Sequence, residues 1–330
     1  MVGVGVIQMA SEPLNVEKNL SKAEYYILKT AKDGAQIIVL PEMFNVGFST
    51  DEDLFNLGES LEGHTVTWLK DQAQIQNVYI ITSIYEKFEG YFYNTMVMVG
   101  YDRSVQVYRK RNPTCQERIV WKRYEKPGPG IFDTPFGRIG GVICFDSFAR
   151  ETFEGFRQSS VDLVIIVALW GTILPMWKHP DSLYFNKLLK HQSHLASEVV
   201  PQKYAQKLGV PVVYVNQSGT VKLPVTHPRF YPSPRWAESE YEFVGNSNVH
   251  DKTGKKLVNS NASKQEFCAV VPVGVQPKKE LSQISKVEVP LNYMSKDYYF
   301  VEPPFMFKLY QKLCFTSFAH EYNRWCEKYA

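Results

Sequence analysis

Short apolar runs rich in Val and Ile recur along the chain, separated by segments whose apolar residues repeat at helical spacing. This alternation constrains the fold more than any other feature. A strand–helix–strand order builds a sheet with helices packed on its faces. The first unit is a strand at Val4–Gln8 and a helix from about Asn15, with Val16, Leu20, Ala23, Ile27 and Ala31 at helical spacing and Gly34 as its stop. Gln36–Leu40, closed by Pro41, is the next strand, and a helix over 64–77 leads into a strand at Val78–Ile84. Tyr93–Val99 and Val105–Tyr108 read as a hairpin around Gly100 and Asp102. The order then repeats. A strand at Arg138–Ile143 precedes a helix over Phe148–Gln158, an apolar run at Asp162–Leu169, a long helix over 185–207 stopped by Gly209, and a strand at Pro211–Val215. Strands at Phe243–His250 and Glu266–Pro272 follow, with Lys252, Thr253 and Gly254 turning between them. The fold class is therefore α/β. The stretch 221–240 holds Pro224, Pro228, Pro232 and Pro234 and reads as a long ordered loop. The alternation fails from about residue 278. The reading is one domain over 1–277 and a C-terminal extension over 278–330, packed on that domain or on a partner subunit.

Composition excludes several functions. A formal net charge of +3 over 330 residues gives no electrostatic case for nucleic acid or an anionic membrane. Cys115, Cys144, Cys268, Cys314 and Cys326 are scattered and lack CxxC spacing, so neither a disulfide framework nor a zinc site is expected. His191 and His194 are three residues apart, but no carboxylate completes a metal motif beside them. The glycines at 128, 130, 137, 140 and 141 do not form a dinucleotide-binding pattern. The chain opens directly on a strand. Its longest apolar run, Leu163–Trp170, is far short of the ~20 residues that cross a bilayer. No membrane span and a cytoplasmic setting are the expectations.

Three segments each place a reactive side chain just past a predicted strand, the edge at which α/β sheets usually build sites. In Pro41-Glu42-Met43-Phe44 an apolar setting would raise the carboxyl pKa of Glu42 and suit it to be a general base. In Tyr108-Arg109-Lys110 an ammonium at Lys110 could stabilise a developing oxyanion, and Glu117 follows seven residues on. In Gly140-Gly141-Val142-Ile143-Cys144-Phe145-Asp146 a strand ends on a cysteine and a helix follows, an elbow that would present a thiol beside backbone N–H groups and lower its pKa.

Taken in order, these three segments resemble the signature regions of the nitrilase (carbon–nitrogen hydrolase) superfamily. Pro113-Thr114, Glu117-Arg118, Val120-Trp121, the segment Val213–Gly219 and Phe243–Val249 extend the resemblance over about residues 2–275. It implies a four-layer αββα sandwich and a site at the sheet edge. It also implies Cys144 as nucleophile, Glu42 as the base that takes its proton and later activates water, and Lys110 with the Phe145 N–H as oxyanion donors. Glu117 matches a second glutamate with a structural or proton-handling part. Phe148, Trp170 and Trp177 would line the acyl pocket. No metal and no organic cofactor is implied, and a homodimer or higher homo-oligomer is. Amidases of ω-amidated dicarboxylates resemble Cys-Tyr-Asp-x-Arg-Phe after the nucleophile, whereas this chain has Phe148 in place of that arginine. Nitrilases carry Trp-Glu where Phe145-Asp146 stands, while the Lys110–Glu117 segment is nitrilase-like. The expected substrate is a small-molecule amide, with a nitrile as the alternative. A catalytically inactive binding or assembly module is the reading from another class.

Overall fold

The computed structural model describes residues 1–114, 117–126, 128–173, 190–224, 238–260 and 265–275. Trp177, His179, Cys115 and the C-terminal extension lie outside these residues.

Two six-stranded sheets form the centre. The first has the order β15 (Phe267–Val273), β1 (Val2–Gln8), β2 (Ile37–Val39), β3 (Tyr79–Phe88), β4 (Tyr91–Val99) and β5 (Val105–Arg109). The second runs β14 (Lys256–Asn259), β13 (Asn248–His250), β10 (Val212–Asn216), β8 (Leu163–Ala168), β7 (Gly137–Ile143) and β6 (Gly130–Thr134). In each sheet three neighbouring strands are parallel and the outer ones antiparallel. A small third sheet joins β11 (Thr220–Pro224), β12 (Glu238–Phe243) and β9 (Gly171–Ile173).

Residue alternation sets the layers. Val4 and Val6 of β1, Ile37 and Val39 of β2, and Met96 and Met98 of β4 share one core cluster with Val142, Ile166 and Val213 of the second sheet. Their neighbours Ile7, Ile38, Val97 and Val99 turn the other way, onto Leu20, Ala23 and Ile27 of α1 (Val16–Lys32) and Val66 and Leu69 of α2 (His64–Gln76). The outer face of the second sheet carries α3 (Arg150–Gln158) and α4 (Val200–Leu208), through Phe153, Phe156, Tyr204 and Ala205. The result is the αββα sandwich. Two glycines set its spacing around the strand that ends at Cys144. A Cβ on Gly141 would stand 2.2 Å from the Phe132 ring and 2.5 Å from the Met96 sulfur, and one on Gly140 would stand 2.9 Å from Phe156.

Several boundaries differ from the sequence reading. β3 runs on to Phe88 and turns through Glu89 and Gly90, both at positive φ, directly into β4. The added residues include Glu86, which is buried and holds Arg109 of β5 in a two-point ion pair at 2.6 and 2.5 Å. β6 is an added strand in a segment to which the sequence reading assigned no element. Residues 144–148 form a 3-10 turn, so α3 starts at Arg150 rather than Phe148. The single strand expected over Phe243–His250 is broken, because Gly245 and Asn246 take positive φ between β12 and β13. The expected loop 221–240 begins and ends in paired strands. Within the expected helix 185–207, the described part is helical from 190 and contains a π-turn at Leu195–Val199.

Candidate active site

Glu42, Lys110 and Cys144 follow the ends of β2, β5 and β7, so two come from the first sheet and one from the second. Glu42 is fixed from several sides. The Thr82 hydroxyl donates to the Pro41 carbonyl (2.9 Å), the Met43 N–H donates to Ser83 Oγ (3.0 Å), and Gln217 Nε2 donates to the Glu42 carbonyl (2.7 Å). Its carboxylate Oε1 accepts from Asn94 Nδ2 at 2.6 Å and from Lys110 Nζ at 2.8 Å. Its Oε2 is buried and has no hydrogen-bond partner among the described residues. Lys110 Nζ also donates to Glu117 Oε1 at 2.7 Å, and Glu117 Oε2 accepts the Thr114 N–H at 2.6 Å. All three side chains of this Glu–Lys–Glu group are buried.

Burial dominates the electrostatics. It pushes the Glu42 carboxyl up to about 7, against the pull of Lys110 and with the push of Glu117. Burial lowers the Lys110 pKa, but Glu117 and Glu42 outweigh it and hold the ammonium well above its ordinary range. Cys144 has φ +47, a left-handed conformation that costs a non-glycine residue of order 1–3 kcal/mol and is concentrated at functional turns. Its thiol is pushed well up by burial and then by Glu42, with Lys110 and the Leu169 backbone opposing. The lowered thiol pKa expected from a helix start is thereby corrected. The turn at Cys144–Phe148 is a short 3-10 segment, and α3 begins six residues after the thiol. The resting pair is a protonated thiol beside a buried carboxylate that titrates near neutrality.

Phe145, Phe148 and Trp170 form a ring cluster with centroids 5.8–6.2 Å apart, packed on the same core as Cys144. Trp170 is held by Asn216, whose side chain accepts its N–H (2.8 Å) and donates to its carbonyl (3.0 Å). Trp177 lies outside the described residues. The sequence reading missed Asn94, Asn216 and Gln217, yet each is a polar residue in or just after an apolar strand, a pattern that marks a buried hydrogen-bonding duty. It also missed Tyr241. Its ring leaves no room for a Cβ at Gly171, and its hydroxyl lies 3.4 Å from the carbonyl of Leu169, whose backbone counters the rise of the thiol pKa.

Residues 3–273 match the family model for carbon–nitrogen hydrolases, and the chain belongs to that family. It is 36% identical over 167 residues to a nitrilase from Pyrococcus abyssi, covering 50% of this chain and 63% of the relative. It is 30% identical over 171 residues to an omega-amidase from Bos taurus, covering 49% and 61%. The chain thus spans under two thirds of the length of these relatives. Among solved structures, a carbon–nitrogen hydrolase from Helicobacter pylori superposes with TM-score 0.65 at 18% identity, covering 91% of this chain and 94% of that one. An amidase from Nesterenkonia sp., captured with acrylamide added to its active-site cysteine, gives 0.63 at 15% identity, covering 83% and 94%. At such identities the likeness is one of fold.

Proposed function

We propose that the chain hydrolyses a non-peptide carbon–nitrogen bond of a small-molecule amide, with Cys144 as nucleophile, Glu42 as general acid–base and Lys110 as oxyanion donor. The observation that carries this reading is the buried Glu42, one oxygen bonded to Lys110 at 2.8 Å and the other without a partner among the described residues. Glu42 Oε2 takes the thiol proton as sulfur attacks the carbonyl carbon and an S–C bond forms. The carbonyl electrons move onto oxygen, where the Lys110 ammonium and the Phe145 N–H receive them. When the tetrahedral centre collapses, the C–N bond breaks and the proton on Glu42 passes to the leaving nitrogen, releasing ammonia. Water then adds to the thioester with Glu42 again as base, giving the carboxylic acid and the free thiol. Glu117 holds Lys110 from its far side. The acrylamide adduct on the active-site cysteine of the Nesterenkonia amidase, a protein of similar fold, is in keeping with a cysteine as the reacting group.

The wall of Phe145, Phe148 and Trp170 favours a neutral, apolar or aromatic acyl group. The buried Trp170 indole N–H, without a partner among the described residues, offers it one hydrogen bond. The test is a matched pair in which one aromatic acyl group is presented as its primary amide and as its nitrile. The amide is expected to have the higher kcat/KM. A nitrile preference above tenfold, about 1.4 kcal/mol in the barrier, would move the chain to the nitrilase reading. A binding or assembly module would release ammonia from neither. A homo-oligomer, a 1–277 catalytic domain with a 278–330 extension and a cytoplasmic setting complete the reading. The free thiols of Cys144 and Cys268 suit a reducing compartment.

A further inference from the structure

The turn that carries Cys144 and the loop that carries Lys110 belong to different sheets, yet the proposed chemistry needs thiol and ammonium at one distance. Asp146, two residues past Cys144, spans them. It is fully buried, and each of its oxygens accepts two hydrogen bonds. Oδ1 takes the Asn112 backbone N–H (2.8 Å) and the Asn112 side-chain amide (2.7 Å). Oδ2 takes the Tyr108 hydroxyl (2.8 Å) and the Arg111 backbone N–H (3.0 Å). The donors lie on both sides of Lys110 in sequence and so grip its loop before and after the catalytic position. Four donors around one carboxyl group favour its ionised form, against the upward push of burial.

We infer that Asp146 is a positioning residue for the reaction proposed above: a saturated carboxylate staple that sets the Lys110 ammonium against the Cys144 thiol. This rests on Cys144 acting as nucleophile. An asparagine in its place has one accepting oxygen, and its amide would face a backbone N–H or hydroxyl that now lacks a partner. The staple would loosen without any change at Cys144, Glu42 or Lys110 themselves.

The experiment compares wild type, Asp146→Asn, Tyr108→Phe and Tyr108→Phe/Asn112→Ala, with each rate divided by the amount of Cys144 thiol that titrates with a small alkylating reagent. The expected result is a fall in kcat per titratable thiol of about 100-fold or more for Asp146→Asn, with KM within about threefold. Intermediate losses are expected for the other two variants, graded by bonds removed. The acid limb of the pH–rate profile should also move upward, because a withdrawn Lys110 no longer favours the ionised form of Glu42. If kcat per titratable thiol and the pH profile stay at wild-type values while thermal stability or the titratable fraction falls, Asp146 serves the fold alone and the inference is overturned. Should Asp146→Asn fail to fold, the two Tyr108 variants decide: unchanged kcat per thiol in the double variant overturns it equally. Full activity in Cys144→Ala would instead overturn the nucleophile reading, a separate failure.

Discussion

Two buried carboxylates stand within the same few residues of structure and do opposite things because their lone pairs are filled differently. Asp146 has every acceptor site occupied, whereas Glu42 keeps one oxygen open, as a proton carrier must. The Glu42 carboxyl, pushed up to about 7 mainly by burial, must be ionised to accept the thiol proton. Lowering the pH through that value protonates it, so kcat/KM should fall about tenfold per unit on the acid side. A profile flat from about pH 5 to about pH 8 would remove Glu42 from this role. Lys110 lies between two buried glutamates, so Lys110→Met leaves them uncompensated. It should cost about 3–5 kcal/mol of stability as well as activity, read by denaturant unfolding. Unfolding within about 1 kcal/mol of wild type would mean that the ion pairs do not hold charge as described. The sequence pointed to Glu42, Lys110, Glu117 and Cys144 through strand-end placement and motif resemblance. It did not point to Asn94 or Gln217, whose hydrogen bonds to Glu42 depend on β4, two strands from β2, and the segment after β10 both reaching the residues that follow β2, a tertiary fact with only a faint local sign in a polar residue within an apolar run.

At the scale of elements, the Cys144 elbow depends on β7 lying close to its neighbours on both faces. Gly141 meets Phe132 and Met96 on one side, and Gly140 meets Phe156 on the other. Gly141→Ala places a methyl group inside contact distance of both neighbours. It should destabilise the protein by about 1–3 kcal/mol, measured by chemical denaturation. A neutral substitution would show that the sheets separate more easily than this packing allows. Elements with clean periodicity were legible: β1, α1, β2, α2, β8 and β10 follow from alternating or 3.6-spaced apolar residues. Those built against local preference were not. β6 forms in a Pro- and Gly-rich stretch because β7 pairs with it. The end of β3 carries Glu86 because Arg109 neutralises it across the sheet. A hairpin partner that follows at once decided the first case, and Arg109 of β5 decided the second.

At the scale of the whole molecule, the two sheets bring β2, β5 and β7 to one edge, so the site exists only when the sandwich is assembled. In the described residues no helix is long and apolar enough to cross a membrane. The proposed homo-oligomer, paired through the helices at about 150–158 and 185–207, should sediment as a dimer or larger at micromolar concentration. A monomer there would contradict it. The central claim, however, concerns one atom. Cys144→Ala changes a single buried side chain and leaves Glu42, Lys110 and Glu117 in place, so it should unfold at nearly the wild-type temperature. Ammonia release from the preferred amide by this folded variant is the direct measurement. The account expects no release above the uncatalysed background, and release within tenfold of wild type would contradict it.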